Sequence, residues 1–383
     1  MFNIDRFDRF SVPSPCFVVD EAALTRNLEI LAGVRERCGA RVLLALKAFA
    51  MFDLFGHIRR YLDGTCASGL YEARLGREEF QKEVHTFCPA YTEADFYDIL
   101  RLSDHLIFNS FAQWQRFKPA LGEKAGDLSC GLRINPEHSE APVALYDPCA
   151  PGSRLGVRRS DFERKDLSGL SGFHFHVLCE QNADALERTL ASVEKRFGDL
   201  LPGLRWVNFG GGHHITRGDY DRDLLCRLVS RFREKYDVDI YLEPGEAVAL
   251  DAGVLVASVL DVVRNEMDIA ILDVSATCHM PDVLEMPYRP EVAGGGLPGE
   301  KPYTCRLAGP SCLAGDVIGD YSFERPLEVG DRLLILDMAH YTMVKTTMFN
   351  GVKHPGIAVW NSETGSLRIV RRFSYLDFRS RLG

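Results

Sequence analysis

At 383 residues, 46% hydrophobic and 26% charged, the chain has the make-up of a globular protein with room for a barrel-sized domain and a second one. No apolar run approaches the roughly 18 residues that a membrane span needs. The opening MFNIDRFDRF is too charged for a secretion signal, so a cytoplasmic protein without a membrane partner is expected. The net charge of -9 argues against a nucleic-acid partner and is compatible with a cationic ligand.

In chain order, Pro15-Cys16-Phe17-Val18-Val19-Asp20 reads as a strand ending in an aspartate cap, and Leu24, Leu28, Leu31 and Val34 then keep helical spacing. The next run, Leu43-Leu44-Ala45-Leu46-Lys47-Ala48-Phe49, is a buried strand that carries one amine to its C-terminal end. Alone it has two readings. Desolvation can make Lys47 a nucleophile, or the side chain can simply reach water. Apolar runs recur at Gly64 to Ala67, Val84 to Cys88, His105 to Phe108, Leu128 to Ile134, Gly172 to Val177, Arg205 to Phe209 and Val238 to Leu242. Amphipathic segments such as Leu70 to Phe80, Ala183 to Phe197 and Tyr220 to Tyr236 lie between them. Eight strands alternating with helices point to an α/β fold, a closed (β/α)8 barrel with catalytic groups at the strand C-termini. An open doubly wound sheet alternates in the same way.

After about Glu246 the texture changes to strand-like runs with Gly/Pro turns, which predicts a second, mostly β-sheet domain. The expected division is residues 16–250 for the barrel, with 1–15 and 251–383 forming the sheet domain. Ala293-Gly294-Gly295-Gly296-Leu297-Pro298-Gly299 is expected to be a flexible surface connection. The 11 cysteines include no C-x-x-C pair, so neither a zinc site nor a disulfide framework is suggested and no metal is expected.

Chemistry concentrates at the strand ends. Gly210-Gly211-Gly212 follows the seventh strand, where barrels often cradle a phosphate. Glu243-Pro244-Gly245 holds a carboxylate before a rigid turn, suited to a protonated ring nitrogen. His174 and His176 share one face by period two, in a stacking or core role, since further metal ligands are missing at that spacing. Gly309-Pro310-Ser311-Cys312 places a thiol in a turn, either structural or able to move a proton.

Taken in order, Lys47, His176, the Gly210 to Gly212 turn, Glu243-Pro244-Gly245, Gly309-Pro310-Ser311-Cys312 and Tyr341 resemble the pyridoxal-phosphate decarboxylases of the alanine racemase-like fold. That group includes the ornithine, arginine and diaminopimelate decarboxylases. Val42 to Ala50, Gly64 to Ser68, Gly210 to Thr216 and Glu243 to Ala247 are most similar to its polyamine-forming branch, the carboxynorspermidine/carboxyspermidine decarboxylases. The resemblance implies pyridoxal 5'-phosphate as cofactor, a carboxylated polyamine as substrate and a homodimer with shared sites. It also implies roles. Lys47 would hold the cofactor covalently, His176 would stack on its ring, and Ala67 and Arg133 would lie against it. Gly211, Gly212, Gly245 and Tyr341 would bind the phosphate, Glu243 would meet the ring nitrogen, and Cys312 from the partner subunit would return a proton.

The chain departs from the wider group in three places. Glu246 stands where arginine usually follows Glu-Pro-Gly, Leu313 stands where an acid usually follows the cysteine, and Leu178-Cys179 replaces a Gly-Ser pair that contacts phosphate. The first change disfavours a distal carboxylate on the substrate and suits a cationic tail. Glu246, Asp273, Glu285 and Asp316 are the candidate partners for the substrate's amines. Rival readings are a decarboxylase of ornithine or diaminopimelate, an amino-acid racemase, and a non-catalytic cofactor-binding paralogue.

Overall fold

The computed structural model describes residues 1–126, 128–163 and 165–383. They fall into two compact units, one from Asn27 to Val248 and the other combining Met1–Arg26 with Ala249–Gly383. No helix among the described residues is long and apolar enough to cross a membrane.

The first unit is the barrel that the alternation implied. Here β2 (Arg41–Ala45), β3 (Gly64–Ala67), β4 (Glu83–Phe87), β5 (His105–Phe108), β6 (Ser129–Arg133), β7 (Gly172–His174), β8 (Trp206–Asn208) and β9 (Asp239–Leu242) form a closed barrel in chain order. Neighbours pair in parallel, and β9 returns to β2. With both faces of the strands covered, the runs are continuously apolar rather than alternating. Leu43, Ile107, Trp206 and Tyr241 pack together in one buried cluster. His85 and His105 stack beside them at 3.9 Å between ring centroids, and the Trp206 indole N–H donates to Ser129 Oγ at 2.7 Å.

The surrounding helices start where caps allow. The Asp221 side chain accepts the Leu224 N–H at 2.8 Å and opens the helix Arg222–Tyr236. The helix Ala183–Phe197 buries Leu186, Leu190, Val193 and Phe197 along one stripe.

The second unit is an eight-stranded mixed sheet. Its strands are β1 (Cys16–Asp20), β10 (Gly253–Asn265), β11 (Met267–Leu272), β12 (Tyr303–Ala308), β13 (Val317–Phe323), β14 (Arg332–Leu336), β15 (Gly356–Trp360) and β16 (Leu367–Arg371). They run in the order β13, β12, β11, β10, β1, β15, β16, and β14 also pairs with β10. Residues 16–26, which the sequence reading grouped with the barrel, lie in this unit, because β1 pairs parallel to β15 and antiparallel to β10. An apolar strand beside a helix has the same local pattern in either sheet. Only its pairing partners, more than 200 residues away in sequence, distinguish the two.

Leu255, Val259, Leu272, Leu307, Tyr321 and Ile335 belong to the larger core of this unit. Phe2 and Phe7 pack on Trp360 in a second core, with ring centroids 5.1 Å from it. The segment 293–299 is more ordered than its glycines suggest. Gly296 exchanges both backbone hydrogen bonds with Ser322, at 2.9 and 3.1 Å, so it extends the sheet edge by one bridge.

Candidate active site

The strand ends of the barrel converge on one cavity of about 200 Å³, with Lys47, Ala67, Arg133, His174, His176 and Glu243 in its wall. β2 stops at Ala45 because the chain turns there: the N–H groups of Ala48 and Phe49 both donate to Ala45 O, at 3.0 and 3.2 Å. Lys47 rides on this turn. The Ala45 N–H donates to Pro244 O at 3.1 Å, and a Cβ on Gly245 would lie 2.5 Å from that of Ala48. The lysine turn and the Glu243-Pro244-Gly245 turn are therefore packed as one piece, which requires glycine at 245.

His176 follows β7. Its Nδ1 accepts the Gly211 N–H at 2.8 Å, so the proton of the neutral ring sits on Nε2, 3.5 Å from Lys47 Nζ. Burial, then the nearby Lys47 and Arg133 charges, hold its pKa well below the ordinary histidine value. Gly212 has φ +80° and comes so close to the next segment that a Cβ would lie 2.0 Å from Leu178 O. Only glycine makes this turn.

Glu243 is buried at the end of β9. Asn208 Nδ2 donates to its Oε1 at 2.7 Å, and His174 Nε2 lies 3.3 Å from its Oε2. Burial alone would push the Glu243 carboxyl up, but contact with His174, then His85 and the Asn208 bond, more than offset it, so the carboxyl is held below its ordinary value. Arg133 donates to His176 O at 3.0 Å and its guanidinium sits 4.7 Å from the Phe87 ring centre. Burial brings its pKa down to about 10, against the pull of Glu243.

Glu246 opens the turn that follows, and its carboxylate meets His214 Nε2 at 3.2 Å. Glu180 brings a further oxygen, and the ligand-type atoms of Glu180, His214 and Glu246 all lie within 4.8 Å of one another. Next to Glu180, burial and then the Glu180 and Glu246 charges push the Cys179 thiol up to about 11.

The other candidates belong to the sheet unit. Cys312 is exposed, on a loop whose backbone is tied down: the Cys312 N–H donates to Asn350 Oδ1 at 2.7 Å. Asp316 is buried in the same loop and accepts the Ser275 hydroxyl at 2.8 Å and the Ser311 N–H at 3.2 Å. Asp273 accepts the Ser258 N–H at 2.8 Å, and Glu285 pairs with Lys345 at 2.8 Å. Each of these three acids already has a partner inside its own unit. Tyr341 adopts φ +47°, with its carbonyl accepting the Lys345 N–H at 3.0 Å.

Sequence reading passed over Asn208, Glu180 and His214. Asn208 looks like any polar strand residue until the register places it opposite His174. Glu180 and His214 approach each other because Gln181 bridges to His213, a pairing with no local signature.

The Glu243 contacts also test a cofactor. The groups on its carboxylate are an amide, an imidazole with a lowered pKa and the Cys66 thiol, whose own pKa burial and then Glu243 push well up; all are neutral donors, so this buried charge calls for a cation inside the cavity. Arg133 faces it from the cavity wall, and a protonated ring nitrogen is a cation that would suit the remaining space. With Lys47 in reach of the same space, the residues fit pyridoxal phosphate. A closed barrel carrying this set defines a pyridoxal-phosphate enzyme.

The comparisons narrow the class. A family model described as pyridoxal-dependent decarboxylase, C-terminal sheet domain, matches residues 16–339. The chain is 47% identical over 375 residues to carboxyaminopropylagmatine decarboxylase of Synechocystis sp., covering 97% of this chain and 96% of the relative. It is 44% identical over 381 residues to carboxynorspermidine/carboxyspermidine decarboxylase of Campylobacter jejuni, covering 97% and 98%. The crystal structure of Campylobacter jejuni carboxynorspermidine decarboxylase complexed with norspermidine superposes with a TM-score of 0.90, at 43% identity, over 97% of this chain and 100% of that one. The chain belongs to the pyridoxal-dependent decarboxylases.

Proposed function

We propose that the protein removes the α-carboxylate of a carboxylated polyamine, carboxynorspermidine or carboxyspermidine, to leave norspermidine or spermidine, as a cytoplasmic homodimer. The observation that carries the tail preference is Glu246. Where the wider family usually has an arginine, this chain sets a carboxylate beside Glu180, and two acids so close favour an ammonium group between or against them. Relatives sharing 47% and 44% of the sequence carry names of polyamine-type decarboxylases. The first of those names motivates a second reading, a substrate whose tail ends in the guanidine of agmatine.

Pyridoxal phosphate, when bound, supplies an electron-poor ring that stabilises the electron pair left by the departing carboxylate. Lys47 Nζ would hold it covalently and His176 would lie against its ring. Glu243 would keep the ring nitrogen protonated, with Ala67 and Arg133 forming walls. Gly211, Gly212, Gly245 and Tyr341 would bind the phosphate. Cys312 Sγ–H, reaching the site from the partner subunit, would return a proton to the α-carbon.

The test is CO2 release from the purified holoenzyme with carboxynorspermidine, carboxyspermidine, carboxyaminopropylagmatine, ornithine and meso-diaminopimelate. The highest kcat/KM is expected on one of the first two. Highest kcat/KM on the agmatine compound would establish the second reading, and highest on ornithine or diaminopimelate would refute the tail preference altogether.

A further inference from the structure

Glu243 has more holding it than a strand end requires. His174 and Asn208 are register partners on the adjacent strands β7 and β8, and both side chains turn to the carboxylate at the end of β9. Asn208 is completely buried and its amide orientation is determined. The Gly210 N–H donates to Oδ1 at 2.8 Å, which leaves Nδ2 for Glu243. One amide thus joins the glycine turn to the carboxylate.

The tautomer of His174 is determined in the same way. A carboxylate only accepts, so Nε2 carries the proton. Nδ1 is buried and has no partner among the described residues, so a second proton there would be an unmatched buried donor. His174 is a neutral donor, and burial acts in the same direction on its pKa.

We propose that His174, together with Asn208, is a positioning residue that presets Glu243 as an oriented, ionised carboxylate. The inference rests on reading Glu243 as the partner of the ring nitrogen. Two neutral donors occupy one lone pair on each oxygen and leave the remaining ones for a cation in the cavity. A charged clamp would compete with that cation, and a neutral one does not. The other titratable groups facing Glu243 are Lys47 after β2, Cys66 on β3, His85 on β4 and Arg133 on β6. Of these the Cys66 thiol also hydrogen-bonds the carboxylate, and none donates an N–H to it as His174 and Asn208 do.

The test compares His174→Phe, which keeps a ring to stack on Phe87 (centroids now 5.5 Å apart) but loses the donor, with His174→Gln, which keeps an N–H donor. Resolved apoenzyme is titrated with pyridoxal phosphate, and the absorption of the bound cofactor is followed from about pH 5 to 9. Circular dichroism checks the fold. His174→Phe should raise the cofactor Kd about tenfold and move the acid-side spectral transition up by about one pH unit, while His174→Gln stays within about threefold of wild type. Should His174→Phe fail to fold, Asn208→Leu removes the other donor and is read by the same two measurements. Wild-type affinity and an unshifted transition in the donor-less variant would overturn the proposal, as would equal loss in His174→Phe and His174→Gln.

Neither readout involves an amine substrate, so an error in the substrate assignment leaves this test intact. Glu243→Gln separates the remaining possibility. If that variant leaves affinity and spectrum unchanged, the ring-nitrogen reading fails; if it changes them and His174→Phe does not, only the positioning role fails.

Discussion

The two units treat their chemical groups in opposite ways. In the barrel, Glu243 is buried, bonded on both oxygens and walled by strands. In the sheet unit, Cys312 is exposed, and it is the backbone rather than the side chain that is fixed, through Asn350 at Cys312 itself and Asp316 at the preceding Ser311. The difference matches the roles proposed for the two groups. A charge that must persist is best kept by burial with matched donors, because every rearrangement would cost a buried bond. A group that hands over a proton has to stay reachable, so its precision comes from the loop beneath it.

That contrast can be broken at several points. The largest effect belongs to Lys47→Ala, which should lower kcat about 10⁴-fold or more and abolish the absorption of covalently held cofactor; full activity would refute the covalent role. Cys312→Ala should lower kcat about 10²–10³-fold while changing stability by less than about 0.5 kcal/mol, since the side chain is exposed. Activity assays paired with urea unfolding would show both halves, and a large loss of stability would contradict the description of the loop.

Buried groups of the barrel should instead show up in stability. Burial lowers the His105 pKa from 6.5 to about 2, ahead of repulsion from His85. As pH falls through 6.5 the unfolded chain takes up this proton and the folded chain does not, so stability is full above 6.5 and declines below it. Between about pH 7 and pH 5 this ring should cost roughly 2 kcal/mol, a slope that His105→Phe should remove in denaturant titrations. The smallest effect concerns the tail. Glu246→Gln should raise KM for a carboxylated polyamine about tenfold with kcat little changed, and an unaltered KM would remove Glu246 from the substrate site.

Much of the fold was legible because it is written locally. Eight apolar runs with amphipathic segments between them can close only in a few ways, and Lys47, Gly212 and Glu243 sit where strand ends must fall. What escaped was pairing at a distance. Whether β1 joins the barrel or the sheet depends on β10 and β15, and nothing inside Cys16–Asp20 records it. The same holds for function: Asn208 gains meaning only opposite His174, and Glu180 only beside His214. All four acids chosen for the substrate prove to have partners in their own unit, Glu246 through His214, because composition shows a carboxylate's charge but not its contacts.

The proposed sharing of each site between subunits is tested most directly by mixing them. Lys47→Ala and Cys312→Ala proteins, each expected to keep at most about one per cent of wild-type activity alone, are dissociated together and reassociated with cofactor. If each site takes its lysine from one subunit and its thiol from the other, half of the dimers carry one intact site, and about a quarter of wild-type CO2 release returns. If the mixture stays as inactive as its parents, Lys47 and Cys312 do not serve one site from opposite subunits, and the proposed sharing is wrong.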